Sequence, residues 1–416
     1  MSVEYREKVE VDLSAGLKKT YLTLDGIHLY LLLGSLIFFM MGSGEGFRTC
    51  AYLNIIVVTF YVFREWKNKE INWQLITAII AIPAIFIVLN LLAQNTLENS
   101  IKGYKKIILT QFLIIGWWIV LQHVTSERIK FLLKTILSFS IFFISFQFAL
   151  DSELLPKAVA SWRYGTFNNP HHLALFTLFS FFIVIGFLLR SYGIKKLILG
   201  ALLFLSGWLL LDTSSRTAWV GVLAGVIFLY PYLTNKARFI LSFITIGICF
   251  LLYKFSNSFQ ERIYDLVENV THEERVEIWS NSWQMLRKNS VGEWLLGHGF
   301  DTFAPSYQLF IPSGSLAYLH PHNYFIELLY VNGVIGLAVG MWLYVYLFRK
   351  TLNVIKNQTD AKLAQIGRLM LISSASIYVH LFLTLPYFST YNFYFLGMHF
   401  LVIIYLSHLS SSHIQK

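Results

Sequence analysis

Residues 171–189 read HHLALFTLFSFFIVIGFLL and contain no Asp, Glu, Lys or Arg. A helix of this length crosses about 30 Å of hydrocarbon at about 1.5 Å per residue. Similar apolar blocks recur along the chain, and because lipid offers no partner for backbone polar groups, we predict that each block is a helix. The predicted spans are 27–43, 49–63, 73–94, 106–124, 129–149, 171–189, 196–212, 217–233, 237–254, 323–348, 365–386 and 390–410.

The composition of the whole chain supports this prediction. Of its 416 residues 56% are hydrophobic and only 13% are charged, whereas about a quarter of a soluble domain is charged. We therefore predict an all-α polytopic membrane protein of about twelve transmembrane helices. The formal net charge of +10 fits basic cytoplasmic loops better than a nucleic-acid partner. The two cysteines, Cys50 and Cys249, lie in apolar blocks without metal-ligand spacing, so we predict no metal site and no disulfide framework. The sequence shows no Asp-x-Asp metal motif and no nucleotide fold, and we predict no cofactor.

The distribution of Lys and Arg between the loops predicts the orientation of the chain. Most of them fall in the segments that lie inside if both termini are cytoplasmic, as the positive-inside rule requires. Residues 1–254 then form an N-terminal membrane region of about nine transmembrane helices. We predict that residues 255–322 form one long loop on the outer face and that residues 323–416 form a C-terminal membrane region of about three helices.

The long loop contains one predicted amphipathic helix, at 273–289. Its residues Val276, Trp279, Trp283 and Leu286 recur at helical spacing on one face. We predict that this face packs against the membrane domain or its interface. A platform on which sugars stack is the alternative.

Three arginines occupy predicted outer-face positions. Arg163 lies in WRYGTFNNPHHLALF, Arg216 lies in DTSSRTAW, and Arg275 lies on the loop helix. Each could simply reach lipid phosphate by snorkelling. Three arginines close to one loop fit a phosphate site better, because guanidinium groups bind phosphate in a bidentate manner.

The motif HPHN at 320–323 supplies a candidate base at the start of a predicted span. His322 titrates near neutrality and could take a proton from an attacking hydroxyl. A structural histidine is the alternative for His322 and for its neighbour His320. Asn323 is predicted to be the N-cap of the following helix.

Two carboxylates and two further histidines lie within or beside predicted spans. We predict that Glu327 pairs with an arginine or orients His322, since an intramembrane carboxylate is costly. Asp212 would do the same for Arg216. For His380 and His399, deep in the last two predicted spans, we predict buried hydrogen bonding rather than chemistry.

These motifs, in this order, resemble those of the bacterial O-antigen ligase and O-antigen polymerase superfamily. The resemblance extends to the predicted topology of the whole chain. Its motifs are Arg163 in RYGTFNNP, Arg216 in SSRTAW, the R-x-x-x-W of the loop helix, GHGF at 297–300, HPHN at 320–323, and the glycines Gly333 and Gly336.

The resemblance implies an inverting, metal-independent glycosyltransferase of the bacterial inner membrane. Its donor would be an undecaprenyl-pyrophosphate-linked glycan, bound at the periplasmic face by Arg163 and Arg216, with Arg275 reaching in from the loop. His322 and Arg216 would be the catalytic residues, and His320, Asn323, Glu327 and Asp212 would support them. His322 would activate or position the acceptor hydroxyl.

Three branches of the superfamily share these features. The HPHN motif followed by Glu327 favours the ligase, whose acceptor is lipid A–core, over the polymerase, which joins lipid-linked repeats. We expect no added soluble domain of the kind common in the branch that glycosylates proteins, and this expectation also favours the ligase. A lipid-linked-sugar transporter is a different alternative, but we see no internal repeat and no plainly broken helix of the kind that transporters use.

Overall fold

The regular elements that the structure describes are helices. The computed structural model describes residues 31–35, 44–68, 73–93, 109–117, 126–151, 170–189, 191–213, 215–236, 238–239, 274–311, 318–357 and 361–384, with isolated positions besides. The helices are α1 (Gly44–Asn68), α2 (Trp73–Leu92), α3 (Ser126–Asp151), α4 (Pro170–Leu188), α5 (Ile194–Asp212), α6 (Arg216–Leu229), α7 (Glu274–Leu286), α8 (Val291–Leu296), α9 (Phe303–Gln308), α10 (Tyr324–Asn357) and α11 (Ala361–Phe382).

Three of the described helices are long and apolar enough to cross a membrane. They are α4, α5 over Ile194–Leu211, and α10. The chain is therefore a membrane protein with helical spans, as predicted. Four of the predicted spans lie largely outside the described residues, namely 27–43, 106–124, 237–254 and 390–410. The count of about twelve spans and the periplasmic position of the loop thus stay predictions.

The chain divides into two compact units. The first comprises Met1–Pro83, Lys105–Thr213 and Phe393–Lys416, and the second comprises Ala84–Tyr104 and Ser214–Asn392. In the first unit α4 packs against α5, and α3 contacts both. The ring of Phe143 on α3 meets the ring of Phe176 on α4 edge-on, with the centroids 6.3 Å apart.

In the second unit α11 packs along both α6 and α10. An aromatic cluster fills the contact between α10 and α11. The ring centroids of Tyr324 and Phe382 lie 4.7 Å apart, and those of Tyr344 and Tyr378 lie 4.8 Å apart. Because Tyr324 and Tyr378 are almost fully buried, this cluster holds the start of α10 against the end of α11.

α10 is broken at Gly333, where the sequence analysis saw no plain break. Gly333 has φ 66° and ψ −168° inside the helix, a conformation that glycine adopts at little cost. At the break, the carbonyls of Tyr330 and Val331 accept hydrogen bonds from the turn after α8. His298 N–H donates to the Tyr330 carbonyl at 2.8 Å, and Gly299 N–H donates to the Val331 carbonyl at 3.0 Å.

The loop helix is present as α7, and its buried face agrees with the predicted one in part, because Leu286 belongs to both. Ile278, Met285 and Leu286 are buried. Trp283, on the face predicted to pack against the membrane domain or its interface, is 44% exposed and meets Trp294 of the next helix edge-on at 6.1 Å. The amphipathic spacing therefore identified the helix correctly, and it identified the buried face of that helix except at Trp283.

Candidate functional site

The site begins at the turn that starts α10. Asn323 Oδ1 accepts hydrogen bonds from the backbone N–H of Phe325 at 3.0 Å and of Ile326 at 3.2 Å. These are the donors that an N-cap side chain satisfies, so the predicted cap is confirmed. The cap fixes where α10 starts. It thereby fixes the backbone position of His322, the residue before the cap.

His322 has a constrained backbone and a defined tautomer. Its φ of 50° is one of two left-handed values at non-glycine residues among the described residues, a conformation for which His and Asn are enriched. Its Nδ1 lies 3.1 Å from the carbonyl oxygen of Thr384. A carbonyl can only accept, so Nδ1 carries the proton and the neutral ring has its lone pair on Nε2. The ring is thus oriented as a base at Nε2.

His320 lies beside His322, with the two ring centroids 4.4 Å apart. Burial, and secondarily the charge that His322 can carry, lowers the pKa of His320 to about 4. His320 is consequently neutral near pH 7 and places no positive charge against the neighbouring ring. Its position suits packing beside His322 better than proton transfer near neutrality.

Arg275 reaches the same end of α11 from the loop helix. Its Nη1 donates to the carbonyl of Leu383 at 3.2 Å, the residue before the one that accepts from His322. The last carbonyls of a helix have no partner within the helix and carry partial negative charge. The turn that directly follows α11 therefore brings the guanidinium of Arg275 and the imidazole of His322 onto the adjacent carbonyl oxygens of Leu383 and Thr384.

Trp279 connects the loop helix to the HPHN turn. Its indole N–H donates to the carbonyl of Pro321 at 3.1 Å. Pro321 stands between the two histidines of HPHN. Arg275 and Trp279 are one helical turn apart, so one face of α7 contacts both the α11 end and the HPHN turn. This arrangement explains the R-x-x-x-W spacing in physical terms.

Arg216 is the first residue of α6, and both of its neighbours are hydrogen-bonded. Ser215, at the N-cap position, has its hydroxyl 3.2 Å from the hydroxyl of Thr217. The hydroxyl of Thr217 in turn lies 3.1 Å from Nδ1 of His380. The backbone that carries Arg216 is therefore tied to α11, and Nη1 of its guanidinium is buried.

His380 connects the residues around Arg216 with the residues around His322. It is fully buried and hydrogen-bonded, which confirms its predicted role. Its carbonyl accepts from the hydroxyl of Thr384, one turn further along, and the carbonyl of Thr384 holds His322. The sequence analysis did not identify Thr217 or Thr384. The one sequence signal for Thr384 was a histidine within a predicted span, His380, followed four residues later by a threonine.

The remaining candidates are Arg163, Asp212 and Glu327. Arg163 lies outside the described residues. Asp212 is the last residue of α5, in the first unit, and its side chain is also outside the described part. Glu327 is buried in the first turn of α10, and its backbone N–H donates to the carbonyl of Asn323 at 3.0 Å.

The chemistry available at this site is proton transfer at His322, with the guanidinium of Arg275 on the adjacent backbone carbonyl. Among the residues that the structure describes, no three His, Cys, Asp or Glu side chains are grouped closely enough to hold a metal ion. An oriented imidazole can accept a proton from a hydroxyl. Guanidinium groups stabilise anionic oxygens, phosphates in particular. This combination suits transfer from a phosphate leaving group to a hydroxyl.

One family model matches the chain. Residues 201–341 match the model described as O-antigen ligase. The match includes Arg216, Arg275 and the HPHN motif, while Arg163 and the end of α11 lie beyond it. It confirms the resemblance to the O-antigen ligase and polymerase superfamily. No curated protein matches the chain.

Proposed function

We propose that this chain transfers a glycan from undecaprenyl pyrophosphate to a sugar hydroxyl of lipid A–core, and the match of residues 201–341 to the family model described as O-antigen ligase supports this proposal. The reaction takes place at the periplasmic face of the inner membrane, with both termini in the cytoplasm. It uses no metal and no cofactor. Lipid-linked glycan, lipid A–core and the surrounding membrane lipids are the partners.

The tautomer of His322 is the observation that carries the proposal. With the proton of Nδ1 held on the Thr384 carbonyl, Nε2 is the basic nitrogen. A base that is already oriented does not lose rotational freedom when the acceptor binds, and such preorganisation is a general requirement of a catalytic site. The left-handed backbone at His322 supports a functional role too, since strain of this kind clusters at active sites.

Arg216 and Arg275 hold the pyrophosphate of the donor in this proposal. Each guanidinium offers five N–H donors in a planar fork. One Nη1 donor of Arg275 serves as an anchor on Leu383, which fixes the plane of the group. Arg163, whose motif belongs to the same set, is the third predicted ligand of the pyrophosphate.

The chemical step is a direct displacement at the anomeric carbon. The acceptor oxygen forms the new bond to that carbon as its proton passes to Nε2 of His322. The bond between the anomeric carbon and the pyrophosphate oxygen breaks, and its electron pair leaves with undecaprenyl pyrophosphate. The configuration inverts because attack and departure occur on opposite faces. The arginines lower the barrier by stabilising the charge of the departing group.

His380 and Thr217 act as positioning residues in this mechanism. They touch neither substrate. Thr217 ties the backbone of Arg216 to α11, and the turn from His380 to Thr384 presents the carbonyl that orients His322. One short stretch of α11 therefore sets the distance between the base and the phosphate-binding arginines.

Transfer in vitro tests the proposal. Purified protein in detergent receives lipid-linked glycan with lipid A–core in one tube and without it in another. We expect glycan on lipid A–core, lost in His322→Asn and retained in the matched control His320→Asn. Longer lipid-linked chains in the tube without lipid A–core would instead identify a polymerase. Folded protein that makes no glycosidic bond in either tube would contradict both.

A further inference from the structure

The turn between α8 and α9 docks on the break in α10 through backbone contacts. A Cβ placed on Gly333 would lie 2.2 Å from the Leu295 carbonyl oxygen, and one on Gly297 would lie 2.4 Å from the backbone of Val331. Both glycines have left-handed φ values, 66° and 79°. The two chain segments therefore meet without intervening side chains. Because they are in direct contact, α8 lies at the same depth in the membrane as Gly333.

The position of Gly333 along α10 indicates that level. Between Glu327 and Arg349 the chain has no charged residue, and this stretch has about the 20 residues that a helical span of the hydrocarbon core needs. Gly333 lies about 9 Å into the stretch from the Glu327 end, at about 1.5 Å per residue. A segment packed against Gly333 consequently lies below the headgroup boundary rather than above it.

The backbone of this segment is hydrogen-bonded in the way that such a depth requires. The N–H groups of Ser290 and Glu293 are satisfied by a capping box. Beyond the helix, Gly297 N–H donates to the Glu293 carbonyl at 2.8 Å, and Phe300 N–H donates to Asn90 Oδ1 at 2.6 Å. Non-helical backbone occurs at membrane depth only where protein satisfies it in this manner.

The outer side of the segment has the composition of a lipid interface. Val291 is 78% exposed and Leu295 is 47% exposed. At the preceding turn the ammonium of Lys288 lies 4.4 Å from the centre of the Phe310 ring. Basic and aromatic residues beside exposed aliphatic ones are typical of segments that contact lipid at the boundary between headgroups and acyl chains.

The charge of Glu293 is consistent with a position at the level of the lipid headgroups. The backbone and then the side chain of Ser290 lower the pKa of its carboxyl, and its Oε1 lies 3.6 Å from Nδ1 of His298. Burial lowers the pKa of His298 despite the attraction of that carboxylate. The carboxylate is therefore charged near neutral pH and belongs at headgroup level, while the aliphatic residues of α8 lie deeper.

We propose that Ser290–Phe300 is a re-entrant segment, which enters the leaflet on the His322 side of the membrane. Val291 and Leu295 contact acyl chains there, and the partner of this surface is the lipid bilayer itself. The predicted loop 255–322 is then not wholly extramembrane. The proposal does not depend on the glycosyl transfer proposed above.

Spin labels report the depth of these positions. In a background with Cys50→Ala and Cys249→Ser, single cysteines replace Val291 and Leu295, and the labelled full-length protein is reconstituted in phosphatidylethanolamine and phosphatidylglycerol vesicles. Trp342, 60% exposed within the uncharged stretch of α10, supplies the lipid reference. Glu277, exposed on α7, supplies the aqueous reference. Power saturation with oxygen and with a water-soluble nickel chelate then measures access from lipid and from water.

We expect labels at both test positions to favour oxygen over the nickel chelate, as the label at Trp342 does. The label at Glu277 should show the opposite preference. Nickel access at Val291 and Leu295 equal to that at Glu277 would overturn the proposal. Both side chains are exposed, so a label displaces no packed atom, and either position suffices if the other variant does not reconstitute.

Discussion

The substitution His322→Asn separates the chemistry of the site from its structure. Asparagine tolerates left-handed φ as histidine does, and its Nδ2–H can donate to the Thr384 carbonyl in place of Nδ1–H of the imidazole. It has no counterpart of Nε2 that could accept a proton. We therefore expect the folded protein to keep its stability within about 1 kcal/mol while the transfer rate collapses.

The size of the loss follows from general base catalysis. Such a base contributes about 10²–10⁴-fold, which is about 3–5 kcal/mol of barrier at about 1.36 kcal/mol per tenfold change. His322→Ala should lose the same activity and also stability. The lost hydrogen bond costs about 0.5–1.5 kcal/mol, and the φ of 50° costs alanine about 1–2 kcal/mol.

The assay combines initial rates of transfer to lipid A–core with thermal unfolding in detergent. The expected pattern is an inactive His322→Asn with an unfolding midpoint near that of the wild type, and an inactive His322→Ala with a lower midpoint. If His322→Asn transferred glycan at more than about a third of the wild-type rate, general base catalysis at Nε2 would be refuted, because the smallest expected loss is about 10²-fold.

Four further predictions concern other parts of the second unit. Arg216→Lys should lower the transfer rate about 10²-fold or more at an unchanged amount of protein in the membrane, because an ammonium lacks the planar fork; full activity would contradict bidentate binding. Thr217→Val should lose activity and Thr217→Ser should keep it, since only the serine retains a hydroxyl for the nitrogen 3.1 Å away on α11; equal rates in the two variants would exclude the positioning role. Gly333→Ala should destabilise the protein by about 2–5 kcal/mol from left-handed φ and overpacking together, measured by thermal unfolding, and an unchanged midpoint would contradict the close contact with Leu295. The pKa of His320 is lowered from 6.5 to about 4, so between these pH values the unfolded chain binds more protons than the folded chain. The free energy of unfolding should therefore be unaffected by His320 above pH 6.5 and should decrease towards pH 4. This decrease should be smaller in His320→Asn.

Apolar blocks predicted the spans well where hydropathy and helix coincide. The block 171–189 corresponds to α4 at Pro170–Leu188. The block 323–348 identified the start of α10 correctly, but the helix continues to Asn357. Hydropathy reports only the part of a helix that suits lipid, and a helix can continue into water as a polar extension.

The site was less accessible to sequence reasoning because much of it consists of backbone. The carbonyls of Leu383 and Thr384 hold Arg275 and His322, yet a carbonyl carries no residue-type signal. The break at Gly333 depends on Leu295, which is distant in sequence, so two glycines alone could not distinguish a close helix contact from a broken helix. The residue types that do carry charge or a titrating ring were identified, since their cost in a membrane makes them conspicuous.

The broken helix also bears on the transporter alternative. Transporters place discontinuous helices around a binding site near the bilayer midplane. In α10 the carbonyls at the break accept from His298 and Gly299, and the Gly333 position is filled by the backbone of Leu295. The break therefore serves to dock α8, which accounts for it without a transported substrate.

The central claim is that the chain makes a glycosidic bond, and mass spectrometry of both reaction products tests it most directly. The protein is reconstituted with lipid-linked glycan and lipid A–core, and both lipids are analysed after a time course. We predict that lipid A–core gains the mass of the glycan while undecaprenyl pyrophosphate appears in equal amount. Donor recovered intact on the opposite side of the bilayer, with no change in the mass of the acceptor, would contradict the account and favour transport.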